Sequence, residues 1–155
     1  MKQHKSLFET TNRDLDLLAP FFRETVIDCL TETNKLGFNL RIFEGYRTAT
    51  RQAALFQQGR ATPGKIITNA PAWMSWHQYG LAIDIAYQVK GKWSWDGDFD
   101  TPAKVFIKHG LQWLSPYEKV HFQLTGKIPI EEARIITRDH GLQALWLVMK
   151  QNLFQ

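Results

Sequence analysis

Bulky apolar side chains alternate with small or acidic ones along residues 81–86. Leu81, Ile83 and Ile85 occupy one set of positions, and Asp84 lies between two alanines in the other. This period-two alternation predicts a half-buried strand whose bulky face enters the core. The small neighbours leave space beside the carboxylate, which suits a binding site. For the strand taken alone, one solvated surface aspartate is the simpler interpretation.

Apolar residues recur at three- and four-residue steps through residues 6–36, which predicts a mainly helical segment. Pro20 fits the first turn of the main helix, where a missing amide hydrogen does no harm. Gly37 fits the end of that helix. The alternation in residues 38–44 then predicts a strand, so this helix and strand form scaffold.

A second helix is predicted through residues 51–59, with Thr48 or Thr50 as its N-terminal cap. Arg47 lies between the first strand and this helix, at a junction from which a side chain can project into a cleft. An arginine paired with Glu44 or with solvent explains the same position equally well.

The rest of the chain repeats these two periodicities. The elements predicted are a short strand at 66–67, a hairpin at 89–95, a helix that Asp100 or Thr101 caps, a strand at 120–124 and helices at 131–139 and 141–153. The apolar residues of the last helix are assigned to core packing. Because 155 residues contain no repeat or linker, we expect a single domain over 1–155.

Composition limits the chemistry. One cysteine, Cys29, excludes an intramolecular disulfide and a cysteine-based zinc cluster. A formal charge of +4 and a pI near 9.3 suit an anionic partner, but the positive charges are scattered. Several aromatic residues could wall a groove or pack in the core. These are Trp73, Trp76, Tyr79, Trp93 and Trp95.

Two strands present possible metal ligands, Asp84 from one and His121 from the polar face of the other, and His77 precedes the first strand in a turn. Two neutral imidazoles and one carboxylate suit a tetrahedral Zn²⁺ with a fourth position open to water. Glu118 would face away from His121 in an extended chain. Pro116 favours a bend that brings this carboxylate to the metal-bound water as a base.

These residues fall in motifs that resemble a known family. Ser75-x-His77-x-x-Gly80-x-Ala82-x-Asp84 and Glu118-x-x-His121 resemble the SxHxxGxAxD and ExxH motifs of the zinc D-Ala-D-Ala peptidases. The runs Gly45-Tyr46-Arg47-Thr48 and Arg51-Gln52-Ala53 are similar to the L-alanyl-D-glutamate peptidases of cell-wall hydrolases and phage endolysins. The likeness covers residues 37–124. It implies an α+β domain with a small central antiparallel sheet, helices packed on it and a single catalytic zinc.

The resemblance also implies a role for each matching residue. His77, Asp84 and His121 match the zinc ligands, and Glu118 matches the catalytic carboxylate. Arg47 matches the arginine that contacts substrate or stabilises the oxyanion. Further substrate contacts are predicted at Ser75 and Gln52. Many L-alanyl-D-glutamate peptidases have Asp where this chain has Glu118, whereas the D-Ala-D-Ala enzymes have Glu.

We therefore expect a zinc metallopeptidase that cleaves the peptidoglycan stem peptide, as an L-alanyl-D-glutamate endopeptidase of the endolysin type. A D-Ala-D-Ala carboxypeptidase or dipeptidase is the alternative with the same chemistry. A catalytically inactive wall-binding module of the same fold is an alternative of another class. A nucleic-acid-binding protein would need a clustered basic face, so no nucleic-acid partner is expected.

No membrane partner is expected either, and we expect a monomer. The basic start Met1–Lys5 is followed by no apolar run, so no signal peptide is visible, and no stretch approaches the length of a membrane span. The expectation is synthesis in the cytoplasm and action on the cell wall or periplasm after release, as for a phage lysin.

Overall fold

The computed structural model describes residues 10–155, which form the predicted α+β fold. Its helices are α1 (Pro20–Lys35), α2 (Ala49–Gln57), α3 (Asp100–Lys108), α4 (Ile130–His140) and α5 (Leu142–Leu153). Its strands are β1 (Leu40–Glu44), β2 (Ala82–Val89), β3 (Lys92–Ser94), β4 (Gln112–Leu114) and β5 (Glu118–Gln123). Short 3-10 turns occur at Leu15–Leu17 and Trp76–Tyr79. Within residues 10–155, none of the helices has the length and apolar character needed to cross a bilayer.

The first helix begins later than the sequence pattern predicts. Residues 6–9 of the predicted segment lie outside the described part of the chain, and residues 10–19 contain only one 3-10 turn. Ala19 is extended, as the residue before a proline usually is, because the proline ring disfavours a helical conformation there. Pro20 then opens α1, in the first-turn position that its missing amide hydrogen predicts.

Two further local predictions are corrected. Residues 66–67 form no strand, and both isoleucines are exposed. Helix α3 is capped neither by Asp100 nor by Thr101. Instead the Asp98 carboxylate accepts a 3.0 Å hydrogen bond from the Thr101 amide and satisfies a donor of the first turn. By contrast, Thr48 caps α2 as predicted, since its hydroxyl accepts from the Arg51 amide.

All strand pairs of the sheet are antiparallel. The order is β1-β2-β5-β4, and β3 pairs with the far end of β2. The register sets Glu44 opposite Asp84, and Asp84 opposite His121. Directly opposed residues share a face of the sheet, so these three side chains form one row across β1, β2 and β5.

From residue 82 to residue 86, strand β2 is covered on both faces. Ile83 and Ile85 are fully buried as predicted, but Ala82 and Ala86 are also 0% exposed. The prediction of a half-buried strand is therefore wrong. Asp84 is the one residue of 82–86 that is not fully buried, since 18% of its side chain is exposed.

The turn before β2 is held by hydrogen bonds from two distant segments, the residue before α1 and helix α5. Gly80 adopts a left-handed conformation with φ of 65°. Its carbonyl accepts a 2.9 Å hydrogen bond from the Ala19 amide, and the Trp146 indole donates at 2.8 Å to the carbonyl of Tyr79. Leu145 in α5 is fully buried, which confirms the core-packing role predicted for the last helix.

Substituting Gly80→Ala should destabilise the protein by about 3 kcal/mol. The alanine must adopt a left-handed backbone conformation, and its methyl group overpacks the site. A Cβ at this position would lie 2.7 Å from the Leu17 carbonyl oxygen and 3.3 Å from the Ala19 nitrogen. Urea unfolding followed by circular dichroism measures the change.

Gly91→Ala is the matched control. Gly91 also has a positive φ, of 75°, but nothing lies within 4 Å of a Cβ placed there. The free energy of unfolding of this variant should fall by only about 1–2 kcal/mol, which is the cost of the left-handed backbone without the overpacking. Equal losses for the two variants would contradict the close approach at Gly80.

Candidate metal centre

Three possible ligands converge from separate elements. His77 comes from the second 3-10 turn, Asp84 from β2 and His121 from β5, and their ligand atoms all lie within 4.8 Å of one another. His77 Nε2 is 3.3 Å from Asp84 Oδ2, and His121 Nδ1 is 3.1 Å from Asp84 Oδ1. Asp84 is therefore the middle of the cluster, with one imidazole at each carboxylate oxygen.

The backbone fixes the tautomer of His77. A carbonyl oxygen can only accept, so His77 Nδ1 donates its hydrogen to the Gly45 carbonyl at 2.7 Å. The lone pair is left on Nε2, which is buried and has no hydrogen-bond partner. A buried ring nitrogen without a partner is unfavourable unless it binds something, and a metal ion would satisfy it. This orphaned nitrogen is the clearest sign that the cluster fits a metal.

His121 is oriented by two amide side chains. Its Nε2 lies 3.0 Å from Gln123 Oε1, and the Gln123 amide donates at 3.2 Å to Gln112 Oε1. Because Gln123 Oε1 can only accept, Nε2 carries the hydrogen and Nδ1 faces Asp84. Histidine ligands of metals are commonly held in this way by a partner on the other ring nitrogen.

The charge state of the cluster suits a cation. Burial opposes ionisation of Asp84, but the two neighbouring imidazoles, of His77 and His121, hold the pKa of its carboxyl well below the ordinary value. Burial alone would lower the pKa of His121, yet its contacts with Asp84, Gln123 and Glu118 raise it above the ordinary value. The protein thus keeps a carboxylate ready, and a metal would displace a proton from His121.

Arg47 is held by the same network. The guanidinium donates to Glu44 at 2.7 Å, to Asp84 at 3.1 Å and to the Gln52 amide oxygen at 3.0 Å. Glu44 is buried and also accepts from Arg51 at 2.5 Å. Burial opposes ionisation of Glu44, but the two arginines together lower the pKa of its carboxyl. The pairing with Glu44 that the sequence allowed is therefore present, at the edge of the cluster rather than on the surface.

Glu118 reaches the cluster from the start of β5. Its Oε2 lies 3.7 Å from His121 Nδ1, and half of its side chain is exposed. In a regular strand, residues three apart point to opposite faces. Here the β4–β5 pairing contains a bulge, since Trp113 pairs with Phe122 whereas Leu114 pairs with Glu118. This irregularity lies within β5, after the Pro116 position at which the sequence predicted a bend, and it brings Glu118 beside His121.

These side chains border a cleft of about 400 Å³. It is lined, among others, by Arg47, Ser75, His77, Asp84, Glu118 and His121. Ser75 also accepts from the His77 amide at 3.4 Å and so caps the turn that carries this histidine. Gln52 does not reach the cleft. It is fully buried behind Arg47 and donates to the Ala70 carbonyl at 2.7 Å, so its position is a supporting one.

Of the aromatic residues considered as groove walls, Trp76 lines this cleft and the other four do not. Tyr79 is buried in the core. Trp93 and Trp95 pack edge-on against Phe43, with ring centroids 5.3 and 5.0 Å away. Trp73 lines a different cavity.

Comparison with known proteins agrees with this geometry. The VanY family, described as D-alanyl-D-alanine carboxypeptidase, matches residues 18–122, a range that contains the whole cluster. The chain belongs to the VanY family. Membership confirms the family resemblance read from the motifs.

Two individual proteins refine the comparison. Peptidoglycan L-alanyl-D-glutamate endopeptidase CwlK of Bacillus subtilis (strain 168) is 45% identical over 65 residues, which span 41% of this chain and 39% of CwlK. The crystal structure of the L-Ala D-Glu endopeptidase ChiX of Serratia marcescens covers 88% of this chain and 98% of its own, with a TM-score of 0.54 and 18% identity. The second likeness shows a shared fold.

The sequence reasoning missed two supporting groups of this VanY-family site, the Gly45 carbonyl and the Gln123 amide. It considered Glu44 only as an ordinary partner of Arg47. Gln123 had a usable signal, because it lies two residues after His121 and so on the same face of β5. The carbonyl of Gly45 had none, since any residue supplies one.

Glu44→Gln should lower the free energy of unfolding at neutral pH by about 3 kcal/mol, because it leaves two arginines without their buried partner. Since folding lowers the pKa of Glu44, its contribution is present above the unfolded pKa of about 4.3 and is lost as the pH falls through the folded value. Urea unfolding is measured from neutral to acid pH with a chelator present. The free energy of unfolding should fall less steeply with decreasing pH in the variant than in the wild type.

The control is Glu32→Gln, which removes a carboxylate that pairs with Lys108 and His109 at the surface. It should change stability much less. A Glu44 variant as stable as this control would contradict the role of the buried network. The pH dependence of stability that remains in Glu44→Gln is expected from Asp84, because folding lowers the pKa of this carboxyl too.

Gln123→Leu should weaken the binding of a divalent transition-metal ion about 10- to 100-fold, because His121 loses the acceptor that orients it. Gln123→Glu keeps an acceptor and should stay close to the wild-type affinity. Calorimetric titration of the metal-free proteins measures both. Equal affinities in the wild type and Gln123→Leu would remove Gln123 from the site.

Proposed function

We propose that the chain is a zinc-dependent L-alanyl-D-glutamate endopeptidase that acts on the peptidoglycan stem peptide. The observation that carries the proposal is the convergence of His77, Asp84 and His121, with the Glu118 carboxylate 3.7 Å from one ligand nitrogen. Membership of the VanY family supports the peptidase chemistry, and the identity with CwlK supports the choice of bond.

Zinc is the metal that best suits these donors. Two imidazoles and one carboxylate are typical of catalytic zinc, whereas calcium and magnesium take mainly oxygen ligands. Three protein ligands would leave a position for water, and bound Zn²⁺ would bring the pKa of that water to about 7 and polarise a carbonyl. Cys29 is buried in α1 and is no part of this set.

Glu118 is the proton carrier in this proposal. It takes the proton of the attacking water and delivers it to the leaving amine. Its exposure to the cleft, together with its closeness to His121, supports this role, because a base must reach both the water and the substrate.

Arg47 supplies positive charge at the edge of the cleft. Glu44 and Gln52 hold its guanidinium in place, so the charge needs no rearrangement when an oxyanion develops. Ser75 lies on the cleft wall, where its hydroxyl can contact the peptide backbone of a substrate. Gln52 then acts by positioning Arg47, and direct substrate contact is left to Arg47 and Ser75.

The scissile bond has one strong competitor. The VanY family carries the description D-alanyl-D-alanine carboxypeptidase, and Glu118 is the carboxylate typical of those enzymes. We favour the L-alanyl-D-glutamate bond because of the CwlK match. Mass spectrometry of fragments released from defined peptidoglycan distinguishes the two, since one reaction frees the stem from L-alanine and the other releases a terminal D-alanine.

We further propose that residues 1–155 form one catalytic domain that works as a monomer at the cell wall, after release to it. Size-exclusion chromatography with light scattering tests the monomer, and a second copy bound at working concentrations would contradict it.

A strong chelator should abolish the digestion of purified peptidoglycan, and added Zn²⁺ should restore it. Glu118→Gln should keep the metal but lower kcat by at least about 100-fold, because it removes the proton carrier. His77→Ala should lose the metal itself. Turbidity loss of peptidoglycan and metal content by atomic absorption give the two readouts.

Arg41→Gln, an exposed change on β1, serves as the active control. Wild-type protein that binds the wall but releases no fragments would support an inactive binding module. Full activity in protein free of metal would reject the zinc mechanism.

A further inference from the structure

A second cavity of about 370 Å³ lies between α4 and the loop before the second 3-10 turn. It is lined by Trp73, from the loop before the second 3-10 turn, and by Arg134, Thr137 and Arg138 of α4. The three helix residues are spaced three and four apart and therefore share one face. None of the four lines the cleft of the metal centre.

Thr137 offers an unused hydrogen-bonding group. Its hydroxyl oxygen is buried, and no partner for it occurs within residues 10–155. A threonine inside a helix usually satisfies its hydroxyl with the carbonyl one turn earlier, as Thr33 does with Cys29 in α1. A buried hydroxyl that lacks this bond at the wall of a cavity is available to a ligand.

Trp73 is held in an unusual conformation at the opposite wall. Its φ is 68°, in the left-handed region that side chains other than glycine seldom adopt. The Tyr79 hydroxyl donates to its carbonyl at 2.8 Å, and the two rings lie 6.1 Å apart. Trp73 as a whole is 40% exposed. Backbone strain that the surroundings maintain is concentrated at binding sites, so this tryptophan is a fixed part of the cavity.

The charge of the cavity is positive. Arg138 is paired with Asp139 at 2.7 and 3.0 Å, which orients its guanidinium. Arg134 makes no ion pair with any carboxylate in the described chain, and Glu131 one turn earlier is exposed. A guanidinium without an ion pair in the described chain, a hydroxyl without a hydrogen-bond partner there and an indole face together suit a carboxylate attached to a less polar body.

Residues that line the two cavities lie close together along one segment of the chain. Ser75 and Trp76, which line the cleft, follow Trp73 within three residues, and the rings of Trp76 and Tyr79 are 5.7 Å apart. One extended polymer can therefore contact both cavities.

We propose that this cavity is a second substrate site, which binds a carboxylate-bearing group of the wall peptide outside the segment held at the metal centre. Arg134 pairs with the carboxylate, the Thr137 hydroxyl adds a hydrogen bond and Trp73 packs on the adjoining group. The inference rests on the proposed function for the identity of the polymer.

The test compares a long substrate with a short one. Arg134→Gln should lower kcat/KM on insoluble peptidoglycan, freed of teichoic acid, roughly tenfold, the loss of one charge-assisted hydrogen bond. On a short synthetic peptide that spans only the scissile bond, it should match the wild type within about twofold. Arg41→Gln, the same change at an exposed site, should leave both values unchanged.

Thr137→Val removes the hydroxyl and keeps the shape. It should weaken binding to peptidoglycan while thermal stability stays equal or rises, because the hydroxyl has no partner in the protein. A loss of stability with unchanged binding would mean a structural role and would overturn the proposal. Equal effects of Arg134→Gln on the long and short substrates would overturn it too.

Binding is measured separately from cleavage, by co-sedimentation of the full chain carrying Glu118→Gln with the same peptidoglycan. If wild-type protein cleaves neither substrate, the proposed function fails, and the sedimentation assay still tests the cavity. Loss of binding in Arg134→Gln but not in Arg41→Gln supports the site. Equal loss in both indicates unspecific attraction, and binding that requires teichoic acid indicates a phosphate ligand; either result overturns it.

Discussion

The buried ion-pair network around Glu44 is the interaction on which the site depends. Glu44 joins Arg51 to Arg47, and Arg47 in turn contacts Asp84. Charges taken out of water are tolerated only when each finds partners, so the geometry of this network is tightly constrained. Since Glu44, Asp84 and His121 form one row across three strands, the pairing of the sheet and the pairing of the charges require the same register. A slip of one residue would turn Asp84 into the core.

Periodicity and motif spacing predicted much of this arrangement. Apolar repeats predicted the helices and every strand except β4. His77, Asp84, His121 and Glu118 stood out because their side chains have few uses other than charge, hydrogen bonding and metal binding. Their convergence could not be derived from spacing alone. It depends on antiparallel pairing between segments far apart in sequence, which local patterns do not encode.

Other features were beyond the sequence for distinct physical reasons. Ala82 and Ala86 gave no sign of burial, because alanine occurs on covered and open faces alike. Gln52 looked like a substrate contact, although an amide serves equally well inside the protein as a support for Arg47. The Gly45 carbonyl that fixes His77 is a main-chain group and leaves no trace in residue identity. Sequence therefore predicts which side chains carry chemistry better than which groups orient them.

The β4–β5 hairpin carries both a possible metal ligand and the nearby carboxylate. His121 and Glu118 are three residues apart on one strand, and the bulge determines how far their side chains are separated. The other wall of the cleft, with Arg47 and Ser75, comes from earlier and independent segments. Changes in the loops that shape the rest of the cleft therefore leave the spacing between His121 and Glu118 untouched.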